Sequence, residues 1–182
     1  MITKNKHLKP SFAVAVLLIC LACSTQGTPP PTKEPTPAGS THTVVSITTI
    51  NEPYVKSMDW SHTRNLIAFG KLDLRDRYFD VYVMEPDGSG EKCLTCGKPE
   101  VPQKHNGNPA WHPSGDYIVF TAENPENPVE HDRYAIPGSG LHCALWLMTS
   151  DGEIFYQLTE YSAKRPIKGV IHPQFSHDGT RL

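Results

Sequence analysis

Long apolar runs, basic clusters and helical periodicity are what this chain has least of. Its longest apolar stretch, Phe12–Ala22, is 11 residues, well short of the roughly 20 that a bilayer-spanning helix takes. Setting residues 1–22 aside removes three lysines and no acid, so the formal charge moves from −2 to −5. No Lys/Arg run survives, which removes the electrostatic footprint of a nucleic-acid binder. No Gly-x-Ser-x-Gly element occurs. Pro137-Gly138-Ser139-Gly140 lacks the strand-to-helix setting that makes such a serine reactive. No catalytic residue and no cofactor is therefore assigned. The nine histidines contain no pair at the tight spacing of a zinc motif. Few stretches could carry a long amphipathic helix, and the 17 prolines and 13 glycines fall mostly between short apolar runs.

Repetition is what the chain has in abundance. Trp60-Ser61-His62-Thr63-Arg64-Asn65-Leu66-Ile67-Ala68-Phe69 returns as Trp111-His112-Pro113-Ser114-Gly115-Asp116-Tyr117-Ile118-Val119-Phe120. A third copy opens at Phe175-Ser176-His177-Asp178-Gly179. A second module, Val81-Tyr82-Val83-Met84 with Asp87-Gly88 and Leu94-Thr95, matches Leu145-Trp146-Leu147-Met148 with Asp151-Gly152 and Leu158-Thr159. Trp60 to Trp111 is 51 residues, whereas Met84 to Met148 and Thr95 to Thr159 are each 64. One insertion of 13 residues within Asn124–Gly140 accounts for the difference.

Leu66–Phe69, Val81–Met84, Ile118–Phe120 and Leu145–Met148 are short, β-branched or aromatic, and predict strands. Asp-Gly pairs after them suit tight hairpins. Each unit reads as four antiparallel strands, which makes the fold class all-β and the unit a β-propeller blade. The expected blades are 57–95 and 108–159, with a third begun at 172–182. The pattern Trp-Ser…Ile-Ala-Phe…Val-Tyr-Val-Met-x-x-Asp-Gly…Leu-Thr resembles the TolB-like, WD-like β-propeller repeat. Ser61–Asn65 departs from that family's Ser-Pro-Asp-Gly. Because the third copy breaks off at Leu182 and a propeller takes four to eight blades, the chain is expected to be a piece of a longer protein. Trp60, Trp111 and Phe175, and likewise Tyr82 and Trp146, are expected to pack between blades.

The N-terminus has a basic start, an apolar middle and small residues near a cut, the design of a secretory signal over residues 1–22. Ala22-Cys23 resembles the bacterial lipobox, with Cys20 where leucine is usual; the resemblance implies lipid attachment at Cys23. Residues 23–43 are Pro- and Thr-rich, a stiff tether able to reach about 60 Å at about 3.1 Å per residue.

The insertion and the blade-to-blade connections open on one face. That face is expected to gather His105, Asn106, His131, Asp132, Arg133, His142 and His172 as a binding surface, with Lys164 and Arg165 nearby. His62, His112 and His177 read as turn residues. Cys93-Leu94-Thr95-Cys96 ends a strand with no helix N-terminus to acidify a thiol, which argues against redox chemistry. For Cys93, Cys96 and Cys143 two readings stand, a disulfide between Cys96 and Cys143 or free buried thiols. The resemblance implies a non-catalytic binding or scaffold protein of the bacterial cell envelope. It would be lipid-anchored to a membrane and would contact envelope proteins or an extracytoplasmic ligand. Similar propellers also precede the catalytic domain of prolyl-oligopeptidase-like serine peptidases, and others act as metal-dependent lyases. Those are the alternatives, the second resting on the histidine-rich face.

Overall fold

The computed structural model describes residues 53–162 and 168–182, all within one compact unit, Val45–Leu182. The signal segment, Cys23, the tether, the segment Val44–Ile50, whose residues predict a strand or two, and Lys164 and Arg165 lie outside the described residues. Eight strands form: β1 (Val55–Ser61), β2 (Leu66–Leu72), β3 (Phe79–Met84), β4 (Lys92–Cys93), β5 (Asn106–Trp111), β6 (Tyr117–Glu123), β7 (Cys143–Thr149) and β8 (Phe155–Gln157). They make two antiparallel four-stranded sheets in chain order, β1–β4 and β5–β8. These are the two expected blades, and the described residues contain no helix.

The repeated motifs acquire physical reasons in the fold. Asp-Gly closes the β3–β4 and β7–β8 hairpins, where Gly88 and Gly152 take φ of 86° and 73°. Their amides donate to Glu85 O and Thr149 O, each at 2.9 Å. Leu-Thr closes the outer strand. Leu94 N donates to Val81 O at 2.8 Å, and Leu158 N to Leu145 O at 2.8 Å. Each threonine hydroxyl then accepts from the facing amide: Val81 N to Thr95 Oγ1 at 3.0 Å and Leu145 N to Thr159 Oγ1 at 2.9 Å. The clasp satisfies an amide that the short outer strand cannot reach.

Another repeated feature was not visible as a motif. Ser57, Asn108 and His172 stand at the same place in their units and all have positive φ, 47°, 49° and 50°. In β1 and β5 this residue is where the register slips, a β-bulge at the start of the innermost strand. In the first unit's turn, Asn65 adopts the left-handed backbone at φ 53°, a conformation asparagine tolerates. The third unit forms its turn, with Gly179 N donating to Ser176 O at 2.8 Å.

Alternation along β2 sends its residues to two faces. Ala68, with Val81 and Val83, packs against Trp111, Ile118, Phe120, Ala122 and Met148 of the second blade. Ile67 and Phe69 pack with Met84 on the other face. Trp111 is buried between blades as expected, but Trp60 is 49% exposed. Its ring stacks on His62 at 5.8 Å, because no described strand covers that side of β1.

Candidate functional site on the insertion face

The connection from β6 to β7 runs from residue 124 to 142, against 73 to 78 for the matching β2–β3 connection, a difference of 13 residues. This is the expected insertion, and it docks back on its own blade. Gly138 N donates to the bulge residue Asn108 Oδ1 at 3.1 Å. Pro137 lies so close to Gly107 that a Cβ there would stand 2.2 Å from the proline Cγ. The glycine is needed for this approach.

Beneath the insertion lies a buried polar network. Glu123, at the end of β6, is 0% exposed. Asn127 Nδ2 donates to Glu123 Oε1 at 2.7 Å and to Asp132 Oδ2 at 3.1 Å. Lys104 Nζ donates to Asn127 O at 2.5 Å and stands 3.9 Å from Glu123 Oε1. His105 N reaches Glu123 Oε2 at 3.4 Å, and His142 Nε2 lies 3.7 Å from Asp132 Oδ2. Burial raises the pKa of Glu123, opposed by the hydrogen bonds from Asn127 and the His105 amide and by Lys104. With its oxygens satisfied, the carboxylate holds the root of the loop in one geometry.

His105 and His131 flank Tyr78, with ring centroids 5.0 and 4.6 Å from it. Phe79 N donates to His105 Nδ1 at 3.1 Å, so the neutral ring carries its proton on Nε2. That Nε2, His131 Nδ1 and Asn106 Oδ1 are buried without a hydrogen-bond partner. Burial first, then His131, holds His105 down at about 4, so it is neutral at physiological pH. Beside these rings opens a cavity of about 160 Å³, lined by Asp73, Arg75, Asp76, Tyr78, Asp80, Cys96, Gly97, Gln103 and Lys104.

The structure therefore brings together His105, Asn106, His131, Asp132 and His142 from the expected set. It does not add Arg133 or His172. Arg133 projects outward, its guanidinium over the Tyr134 ring at 4.7 Å and its Nη2 donating to the Tyr134 hydroxyl at 2.6 Å. His172 takes the bulge position and lines a separate depression with Ser57 and Asn108. The His112 imidazole is the turn residue expected, accepting from Ser114 N at 3.1 Å, and its Nε2 lies 3.2 Å from Gly179 O.

The cysteine pairing is also corrected. Cys93 and Cys96 are joined to each other, with Cα atoms 5.8 Å apart, a separation that suits a disulfide. Cys143 remains a buried thiol, donating to Ala135 O at 3.3 Å, and burial pushes it up to about 12. It lies within its own blade under the insertion, with Leu141 O at 3.5 Å as its other contact. Sequence reasoning missed Tyr78, Lys104, Glu123, Asn127 and Asp80. The signal that existed was a carboxylate inside an apolar strand. Glu123 stands where the first unit has Leu72, and Asp80 where the second has Ala144.

Among the described residues, no helix is long and apolar enough to cross a membrane, and one group of three side chains has metal-donor spacing, Asp80, Cys93 and Cys96. No family model matches the chain, and no curated protein matches it. A solved structure, described as "putative TolB from Agrobacterium tumefaciens", is similar at 23% identity and a TM-score of 0.50. The match covers 69% of this chain and 39% of that one. The chain thus spans well under half of that relative's length and shares its fold, blades of an antiparallel β-propeller.

Proposed function

We propose that this chain belongs to a non-catalytic, extracytoplasmic binding propeller, lipid-anchored at Cys23, whose insertion face contacts a partner protein of the cell envelope. One observation carries the reading. The buried trio Glu123, Asn127 and Asp132 is spent on fixing a loop whose outer surface presents Val129 and Tyr134, each 51% exposed, with Arg133 locked over the tyrosine ring. Tyrosine and arginine are the side chains that dominate binding energy at protein interfaces, and a loop fixed beforehand loses little entropy when it binds. The solved relative is described as a TolB, and its fold is consistent with such a role without specifying it.

The test is photocrosslinking in cells. A crosslinking side chain replacing Tyr134 in the full-length protein should trap one discrete envelope protein, and Arg133→Ala should cut that adduct about tenfold or more. Membrane fractionation of Cys23→Ala should find the protein released from the membrane. A missing adduct at Tyr134 would end the binding-face reading. Unchanged membrane attachment of Cys23→Ala would end the anchor.

A further inference from the structure

We propose that Cys93–Cys96 is an exchange-active disulfide, reduced by an incoming thiol that enters the cavity beside Cys96, with Asp80 as its proton donor. Three observations converge on this site. Cys96 lines the cavity of about 160 Å³ together with Arg75 and Lys104 and the carboxylates Asp73, Asp76 and Asp80, so the cavity gives an incoming thiol a path to its sulfur. Asp80, 7% exposed, places a carboxylate oxygen within 4.8 Å of both sulfurs. The backbone amide of Cys96 donates to Cys93 Sγ at 3.1 Å, so charge developing on Cys93 has a donor already in place. No helix N-terminus is needed when this amide faces the leaving sulfur.

The second blade is an internal control. It closes its outer ladder with the same Leu-Thr clasp while carrying Ala144, Gln157 and Glu160 at the positions of Asp80, Cys93 and Cys96. The blade therefore does not need the disulfide to form. A bond across so short a loop also removes little entropy from the unfolded chain. Asp80 does accept from the Thr95 hydroxyl of the clasp, but the second blade forms the same clasp with Ala144 in its place. Burial, with Asp76 and Asp73 adding to it, raises Asp80 to about 6, and Thr95 and Asn106 only partly offset this. The Thr95 hydroxyl donates to Asp80 Oδ1 at 2.6 Å, which leaves Oδ2 to carry the proton.

The chemistry balances. A thiolate attacks Cys96 Sγ, the S–S bond breaks, and Cys93 leaves with the electron pair and takes the proton of Asp80. A second thiol then attacks the sulfur attached to Cys96, releasing Cys96 and the external disulfide, and its proton returns to Asp80. Two external thiols are oxidised and one protein disulfide is reduced.

The experiment incubates the native, full-length oxidised protein with glutathione, and separately with a reduced Cys-x-x-Cys protein. Alkylation and mass spectrometry then follow the peptide containing Cys93 and Cys96. Wild type should exchange while folded, and Asp80→Asn should slow it by about tenfold or more with its far-ultraviolet spectrum and cooperative unfolding retained. Cys93→Ser, incubated instead with glutathione disulfide, should hold a mixed disulfide on Cys96, one glutathione thiolate leaving as the bond forms. Reaction with glutathione assigns a small-thiol source; reaction with the protein dithiol alone assigns a protein source. Exchange that begins only once the blade unfolds would overturn the proposal. So would an Asp80→Asn rate within about twofold of wild type, or isolation of the protein with both thiols reduced around a stoichiometric zinc ion.

Discussion

At the residue scale, burial shifts Asp80 and His105 in opposite senses. Asp80 sits in the fold at about 6, above its ordinary 3.8, so between those values the folded state holds a proton the unfolded state has lost. Its contribution therefore falls as pH rises through that window. His105 sits at about 4, below its ordinary 6.5, so between those values the unfolded state binds the extra proton and stability rises with pH. Glu123, which burial also raises, acts in the same sense as Asp80, so two acids oppose His105 in this range. Asp80→Asn removes one of them. Urea unfolding should show the stability of that variant, relative to wild type, increasing from pH 4 to 6 by as much as about 3 kcal/mol. A difference that does not change with pH would show that the fold does not raise Asp80. Both residues were hard to weigh from sequence. His105 was recognised as a member of the insertion face, but its neutrality depends on the Phe79 amide and on the blade that buries it. Asp80 belongs to no motif, and only Ala144 at the matching place in the second copy sets it apart.

At the element scale, the outer strands are short, and the threonine clasp does work that additional ladder hydrogen bonds would otherwise do. Thr95 is fully buried and also donates to Asp80, whereas Thr159 is exposed. Replacing Thr95 with valine keeps the shape but orphans the Val81 amide inside the protein, at a cost of about 2 kcal/mol. The same change at Thr159 leaves the Leu145 amide able to bond water and should cost under about 1 kcal/mol. Chemical denaturation of the two variants checks the ratio, and equal losses would mean the clasp acts alike in both blades. This element was legible: Leu-Thr recurred at a fixed 64-residue spacing. The bulges were not, because serine and asparagine share no chemical pattern with each other or with His172, only the backbone conformation all three adopt at equivalent places.

At the scale of the whole molecule, the two sheets have one core between them. Ala68, Val81 and Val83 from the first blade meet Ile118, Phe120 and Met148 from the second. Blades in such a stack are stabilised by their neighbours as much as by themselves. Phe120 is fully buried there. Phe120→Ala should therefore cost about 3–5 kcal/mol and should destabilise both blades together. Hydrogen exchange would show this as a common loss of protection in β2 and β3 along with β6 and β7. Loss confined to β6 and β7 would mean the blades unfold separately.

The sequence by itself determined the strands, their order, the register of the two copies and the place and length of the insertion. Those depend on local alternation and on turn chemistry, which adjacent residues carry. Only the tertiary structure decided which side chains meet. Cys96 pairs with Cys93 because the turn brings their α-carbons within 5.8 Å, while Cys143 is enclosed by its own blade. Glu123 becomes the anchor of the insertion face because Asn127 and Lys104 arrive over it from two separate connections. His172 leaves that face because it stands at the repeat position of Ser57 and Asn108, with the same left-handed backbone. Distance between side chains far apart in the chain is set by how the sheets stack, and spacing along the sequence does not encode it.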